Sequence, residues 1–120
     1  MVIKPPQLVL NMLAPLLGSV NSERALVFIL ARENGYATEI AAFFDTNLYG
    51  IQKQLDKLEA GQVLVSHTAG RTRLYRFNPR YPFLTELKSL LEKALSFYPE
   101  DVREQLLMNR RRPRRRGKPL

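Results

Sequence analysis

Over residues 48–77 the spacing of apolar side chains changes its repeat, and this limits the folds open to the chain more than any other feature. Leu48, Ile51, Leu55 and Leu58 recur at intervals of three and four, which sets one apolar stripe along a helix over 48–60. Gly61 stops that helix. Beyond it the repeat drops to two. Residues 63–66 read as a strand and 73–77 as its return, with Arg73, Tyr75 and Phe77 on one face and Leu74 and Arg76 on the other. The loop over 68–71 holds a turn-forming glycine, Gly70.

Helical spacing also precedes this segment. Leu8, Met12 and Leu16, with Val9, Leu13 and Leu17, predict a first helix over 7–17, kinked or broken near its end by Pro15. Gly18-Ser19 reads as a turn, and Asn21 or Ser22 can cap the next helix. Leu26, Ile29 and Leu30 set the buried face of that helix, and Asn34-Gly35 is expected to close it. A short helix begins at Thr38 or the residue before it, with Ile40, Ala41 and Phe44 inward. Asp45-Thr46-Asn47 is then a polar turn, with Asn47 placed to cap the helix over 48–60. After the hairpin, a long helix is expected from residue 82 to about 97 and a shorter one from 99–101 to about 108.

Two helices joined by a three-residue turn and followed by a hairpin give the order of a winged helix-turn-helix. The expected fold is mainly α with a two-stranded β-wing, in the order α-α-α-α-β-β-α. Residues 1–109 form the domain, with dimerisation helices at about 82–108. Residues 110–120 form a basic tail expected to lack stable structure.

The net charge of +8 is unevenly placed. Arg110, Arg111, Arg112, Arg114, Arg115, Arg116 and Lys118 put +7 in the last eleven residues, with no acid among them. The other 109 residues carry only +1, yet within them 48–80 holds +4 between flanks of −1 and −2. The domain therefore has one basic band, on the second helix of the pair and the wing. The chain has no cysteine and one histidine, His67, so thiolate chemistry is excluded and the one histidine cannot build a metal cluster by itself. No apolar run is long enough for a membrane span, and no signal-peptide layout opens the chain, which predicts a cytoplasmic protein. There is no glycine-rich phosphate loop and no nucleophile–base pair in evidence. No enzymatic activity and no cofactor are expected.

Double-stranded DNA is the expected partner. A recognition helix needs an apolar face on the core and a polar face for the major groove, and 48–60 supplies both. Its polar side shows Tyr49, Gln52, Lys53, Asp56 and Lys57. Gln52 can make a bidentate pair with adenine, Lys53 can reach a guanine edge or a phosphate, and Tyr49 can stack on sugar or donate to a phosphate. Thr46 and Asn47, with the amides of the helix N-terminus, form a candidate phosphate seat. Arg71, Arg73 and Arg76 arm the wing over 63–77, Arg71 at its turn, where arginine can enter the minor groove or meet the backbone. His67 is expected to face solvent. The six tail arginines are candidate phosphate contacts.

Several segments in this order resemble the arsenical-repressor-type (ArsR-like) winged-helix regulators: Leu17-Gly18-Ser19, Ala37-Thr38-Glu39-Ile40-Ala41, Leu55-Asp56-Lys57-Leu58-Glu59-Ala60-Gly61, and Gly70-Arg71-Thr72-Arg73-Leu74-Tyr75 followed by Asn78-Pro79. The resemblance spans roughly residues 16–98. It implies a dimeric transcriptional regulator whose recognition helices read successive major grooves. The chain departs from the family twice. Without cysteine it lacks the ligands of the soft-metal sensors, and its glycine after the recognition helix falls one residue early, at Gly61, with Gln62 in the usual place.

The helix from residue 82 carries two apolar lines: Phe83, Leu87, Leu90 and Ala94, and Leu84, Leu91, Leu95 and Tyr98. One can pack on the domain, and the other calls for a partner. A homodimer interface is expected from Leu8, Met12, Phe83, Leu87, Leu90, Leu91 and Ala94. Two other readings stay open: a winged-helix adaptor or antitoxin-like partner of another protein, and an RNA-binding protein that uses the arginine-rich tail. Nothing in the residues names a small-molecule effector.

Overall fold

A computed structural model describes residues 12–108. Its elements run α1 (Ala14–Leu17), α2 (Val20–Arg32), β1 (Gly35–Tyr36), α3 (Ala37–Phe43), α4 (Leu48–Ala60), β2 (Leu64–Ala69), β3 (Thr72–Phe77), α5 (Leu84–Ser96) and α6 (Glu100–Met108). This is a mainly helical winged helix-turn-helix. Leu8 and the tail arginines lie outside the described residues.

Helix α2 is the pillar. Ala25, Leu26, Val27, Phe28 and Ile29 are all buried, and α3, α4, α5 and α6 close around them through Ile40, Ile51, Leu55, Leu91 and Leu106. The cap of α2 is Ser19, not Asn21 or Ser22: the Ser19 side chain accepts from the Ser22 amide at 3.0 Å. Ser22 instead donates its hydroxyl to Gln54 Oε1 of α4 at 2.9 Å. Residues 7–11 of the expected first helix lie outside the described residues, and Pro15 does not interrupt the part described. It sits in the first turn of the four-residue α1, where a missing amide hydrogen loses no bond.

Gly35 does not close α2. Glu33 takes the left-handed position there, with φ 76°. Gly35 is needed for space, since a Cβ there would stand 3.0 Å from two Phe28 ring carbons. That close approach lets Gly35 and Tyr36 form a two-residue strand on β3, pairing Gly35 with Tyr75 and Tyr36 with Leu74. The sheet therefore has three strands, in the order β1-β3-β2, where the sequence suggested two. The hairpin strands also run further than expected, up to a two-residue turn at Gly70-Arg71, with Ala69 opposite Thr72.

Two buried charged side chains tie the periphery to α2. Glu23 accepts from the Leu13 amide at 2.9 Å and from the Tyr98 hydroxyl at 3.0 Å, which joins α1 and the α5–α6 connection to the pillar. Burial raises the Glu23 carboxyl above its ordinary value. Burial and the neighbouring Glu23 likewise raise the Tyr98 phenol. Arg32 lies over the Phe28 and Phe43 rings, 4.6 and 5.3 Å from their centroids, and donates to the Leu106 and Gln105 carbonyls at the end of α6.

Candidate nucleic-acid interface

The geometry of this surface starts from how α4 is held. Asn47 caps it as expected, its side chain accepting from the Tyr49 amide at 2.7 Å. Asp45, at φ 54°, supplies the left-handed step that turns the chain from α3 into α4. At the far end the Val63 amide donates to the Leu58 carbonyl and the Gln62 amide to the Glu59 carbonyl. This is the paired pattern of a Schellman cap. Its left-handed residue is Gln62, at φ 71°, whereas Gly61 has an ordinary φ of −86°. The helix thus ends where the sequence placed its end, and the glycine stands one residue before the position that needs it.

Within this frame Ile51 and Leu55 are fully buried and Leu58 is half-buried. Leu48, the first residue of the expected stripe, is not in the core: it is 46% exposed. On the opposite side Tyr49, Lys53, Asp56 and Lys57 are exposed, with Tyr49 the most open at 73%.

Helix and wing are locked together by side-chain bonds. Gln52 Nε2 donates to Asp56 Oδ1 at 2.9 Å and to the Tyr75 hydroxyl at 3.0 Å. Tyr75 is buried, and burial raises its phenol. Ser66 donates to Glu59 Oε2 at 2.7 Å, and Arg73 Nη1 donates to Ser66 Oγ at 3.0 Å. The first of these contacts corrects the role expected of Gln52. Both its amide hydrogens are engaged within the protein, so only Oε1 is left to meet a ligand, and a bidentate adenine pair needs a donor as well.

Between the start of α3, the first turns of α4 and the wing lies a cleft of about 370 Å³. It is lined by Tyr36, Ala37, Thr38, Leu48, Gln52, Thr68, Arg71, Thr72 and Arg73, and no carboxylate is among them. The fold therefore brings together three of the residues singled out in the sequence: Gln52, Arg71 and Arg73. Arg71 stands at the turn because Gly70, at φ 67°, takes the strained position beside it. Arg76 points from the sheet face opposite the one that meets Gln52, since neighbouring residues on a strand alternate. Thr46, Asn47, Tyr49 and Lys53 lie at or before the first half of α4 and Lys57 in its last turn, and none of them lines the cleft. His67 is exposed on β2, opposite Leu74.

Sequence reasoning missed Leu48, Thr38, Thr68 and Thr72. The three threonines carried a readable signal, being polar residues at the entry to α3 and on both wing strands. Leu48 carried a misleading one.

The two apolar lines of α5 differ in burial. Leu91, Leu95 and Tyr98 are buried and Leu84 is half-buried, so this line packs on the domain. Leu91 and the equally buried Ala94 belong to the chain's own core and leave the expected interface. Phe83 remains 63% exposed, Leu87 and Leu90 are half-buried, and Met12 and Leu16 are exposed.

No protein-family model matches the chain, and no curated protein does. Among solved structures, a mutant of Lactococcus lactis ZitR in its apo form is similar at 22% identity, over 72% of this chain and 74% of that one, with a TM-score of 0.49. No family assignment follows from a likeness at this level. Among the described residues there is no group of three or more side chains able to hold a metal ion, and no helix is long and apolar enough to cross a membrane.

Proposed function

We propose that the chain is a cytoplasmic, sequence-specific regulator of transcription that binds double-stranded DNA as a homodimer of the ArsR-like kind. One observation carries the reading: the cleft between α4 and the wing is walled by Arg71 and Arg73, lined by hydroxyls and free of carboxylates. A polyanion is the partner that such a surface suits. The first half of α4 enters the major groove, Lys53 and Lys57 meet the backbone, and the wing turn carries Arg71 to the adjacent minor groove. The tail arginines, Arg110 to Arg112 and Arg114 to Arg116, add phosphate contacts that do not depend on sequence.

The outward line Phe83, Leu87 and Leu90 supports the homodimer. It leaves Phe83 largely exposed, beside the half-buried Leu87 and Leu90, on a helix whose other line packs on the domain. A two-fold pairing through it puts two recognition helices on successive major grooves. Selection of bound duplexes from a random pool tests both parts. The expected result is an enriched palindrome whose half-sites lie about one helical turn apart. Affinity without enrichment would reduce the protein to a non-specific binder, and an enriched site without two-fold symmetry would remove the dimer.

A further inference from the structure

We infer that Leu48 is a base-reading residue of this interface and that its target is the 5-methyl group of thymine. The inference rests on the DNA-binding reading above and deepens it. Leu48 is the first residue of α4, at the helix end that enters the groove, and it is 46% exposed. It lies one turn before Gln52 on the same face, and both line the cleft with Arg71 and Arg73. Within the cleft Leu48 shares the lining with Ala37 and Tyr36 as well as with the arginines and threonines, and it still leaves nearly half of its surface open to a ligand. In the major groove the one apolar group displayed on a base edge is the thymine methyl. Leucine has no polar atom, so that methyl is the only base feature it can select.

The state of Gln52 strengthens the assignment. Its amide hydrogens are held by Asp56 and Tyr75, so the residue that looks best suited to read adenine offers only an acceptor. Gln52 then orients the wall of the cleft, through Tyr75 on the wing and Asp56 on the helix, and the discriminating contact next to it falls to Leu48.

The test uses the full chain and its selected duplex. Each thymine is replaced in turn by deoxyuridine, which removes the methyl and keeps the base pair. Burial of one methyl predicts a loss of about three- to fivefold in affinity at one position of each half-site. Leu48→Ala should bind the thymine duplex more weakly by a similar or larger factor and show no further loss with deoxyuridine at that position. Leu48 is exposed, so the variant is expected to keep its fold, which circular dichroism checks. Wild-type affinity indifferent to deoxyuridine at every position overturns the assignment, as does a Leu48→Ala variant that keeps the full deoxyuridine penalty. Failure to bind any duplex is a different result: it removes the DNA-binding reading and Leu48's role with it.

Discussion

Helices α2 and α4 have the same length, thirteen residues, and each is followed by a non-glycine residue in the left-handed region, Glu33 after one and Gln62 after the other. Their surroundings are opposite. Nine residues of α2 are buried, including the charged Glu23 and Arg32, whereas α4 buries only Ile51 and Leu55. One helix is a pillar enclosed by four others, and its side chains answer to packing. The other is a lever held by two core residues, a cap at each end and side-chain bonds to its neighbours, and its Leu48, Tyr49, Lys53 and Lys57 side chains stand exposed. On the proposed function, stability and recognition fall to different helices, so a change in one should leave the other largely untouched.

The sharpest break of this comparison pairs one apolar truncation on each helix. Phe28→Ala removes a fully buried ring that also packs on Phe43, on Arg32 and against Gly35. It should destabilise the domain by about 3–5 kcal/mol, a large share of the roughly 5–15 kcal/mol that a domain holds. Leu48→Ala, also apolar and also on a thirteen-residue helix, should change stability by no more than about 0.5 kcal/mol. Urea unfolding of both variants gives the two numbers. Comparable losses would mean that Leu48 is core after all.

A second, smaller effect uses the buried carboxylate of α2. Burial holds the Glu23 carboxyl above its ordinary 4.5, so the folded state favours the neutral acid more than the unfolded chain does. Its contribution is fully present below about pH 4.5 and is lost as the pH rises from there through the raised folded value. Glu23→Gln keeps the shape, an acceptor for the Leu13 amide and a partner for the Tyr98 hydroxyl, but does not titrate. Melting of the two proteins from about pH 4 to pH 7.5 should show the variant gaining on the wild type as the pH rises. A difference that stays constant over that range would show that the Glu23 carboxyl titrates alike in the folded and the unfolded chain.

The contrast between the helices also explains what could be read from the sequence. The bounds of α4, its Asn47 cap and the wing were legible because local rules fix them: a stripe of period 3.6, a capping residue, then alternation around Gly70. Strand β1 was not legible, because two residues show no period and Gly35 owes its place to the distant Phe28 ring. Leu48 was misread because its spacing belongs to the stripe, although the buried part of the stripe begins one turn after the helix does, at Ile51. Gln52 was misread for a different reason: its partner Tyr75 lies 23 residues away, across the fold. On α5 both lines were visible and equally apolar, and only packing on α2 decides that Leu91 faces inward and Phe83 outward. The cleft itself comes from three separate segments that no single stretch of sequence displays together.

The smallest expected effect concerns the end of α4 and runs in the stabilising direction. Gln62 occupies the left-handed position of the Schellman cap at φ 71°, a region costly for any residue with a Cβ, while Gly61 sits at φ −86°, where it has no need to be glycine. The Gln62 side chain is exposed, and what the cap uses is its backbone: the amide that bonds Glu59, and the carbonyl that accepts from Asn78 Nδ2 at 2.8 Å. Gln62→Gly should therefore relieve the strain without losing a contact. Set against the extra freedom it gives the unfolded chain, the net gain should be about 0.5–1 kcal/mol. Gly61→Ala is the control. Its new Cβ would meet the Lys57 carbonyl at 3.4 Å and the Leu58 carbonyl at 3.9 Å, both ordinary contacts, so it should be tolerated, whereas an alanine placed where the left-handed residue belongs would keep the strain. Gain at residue 62 with tolerance at residue 61 would show that α4 is stabilised at its ends and along its narrow stripe. Loss at residue 62 would mean that the glutamine side chain holds the helix to the wing, and that the cap is built from side chains as well as backbone.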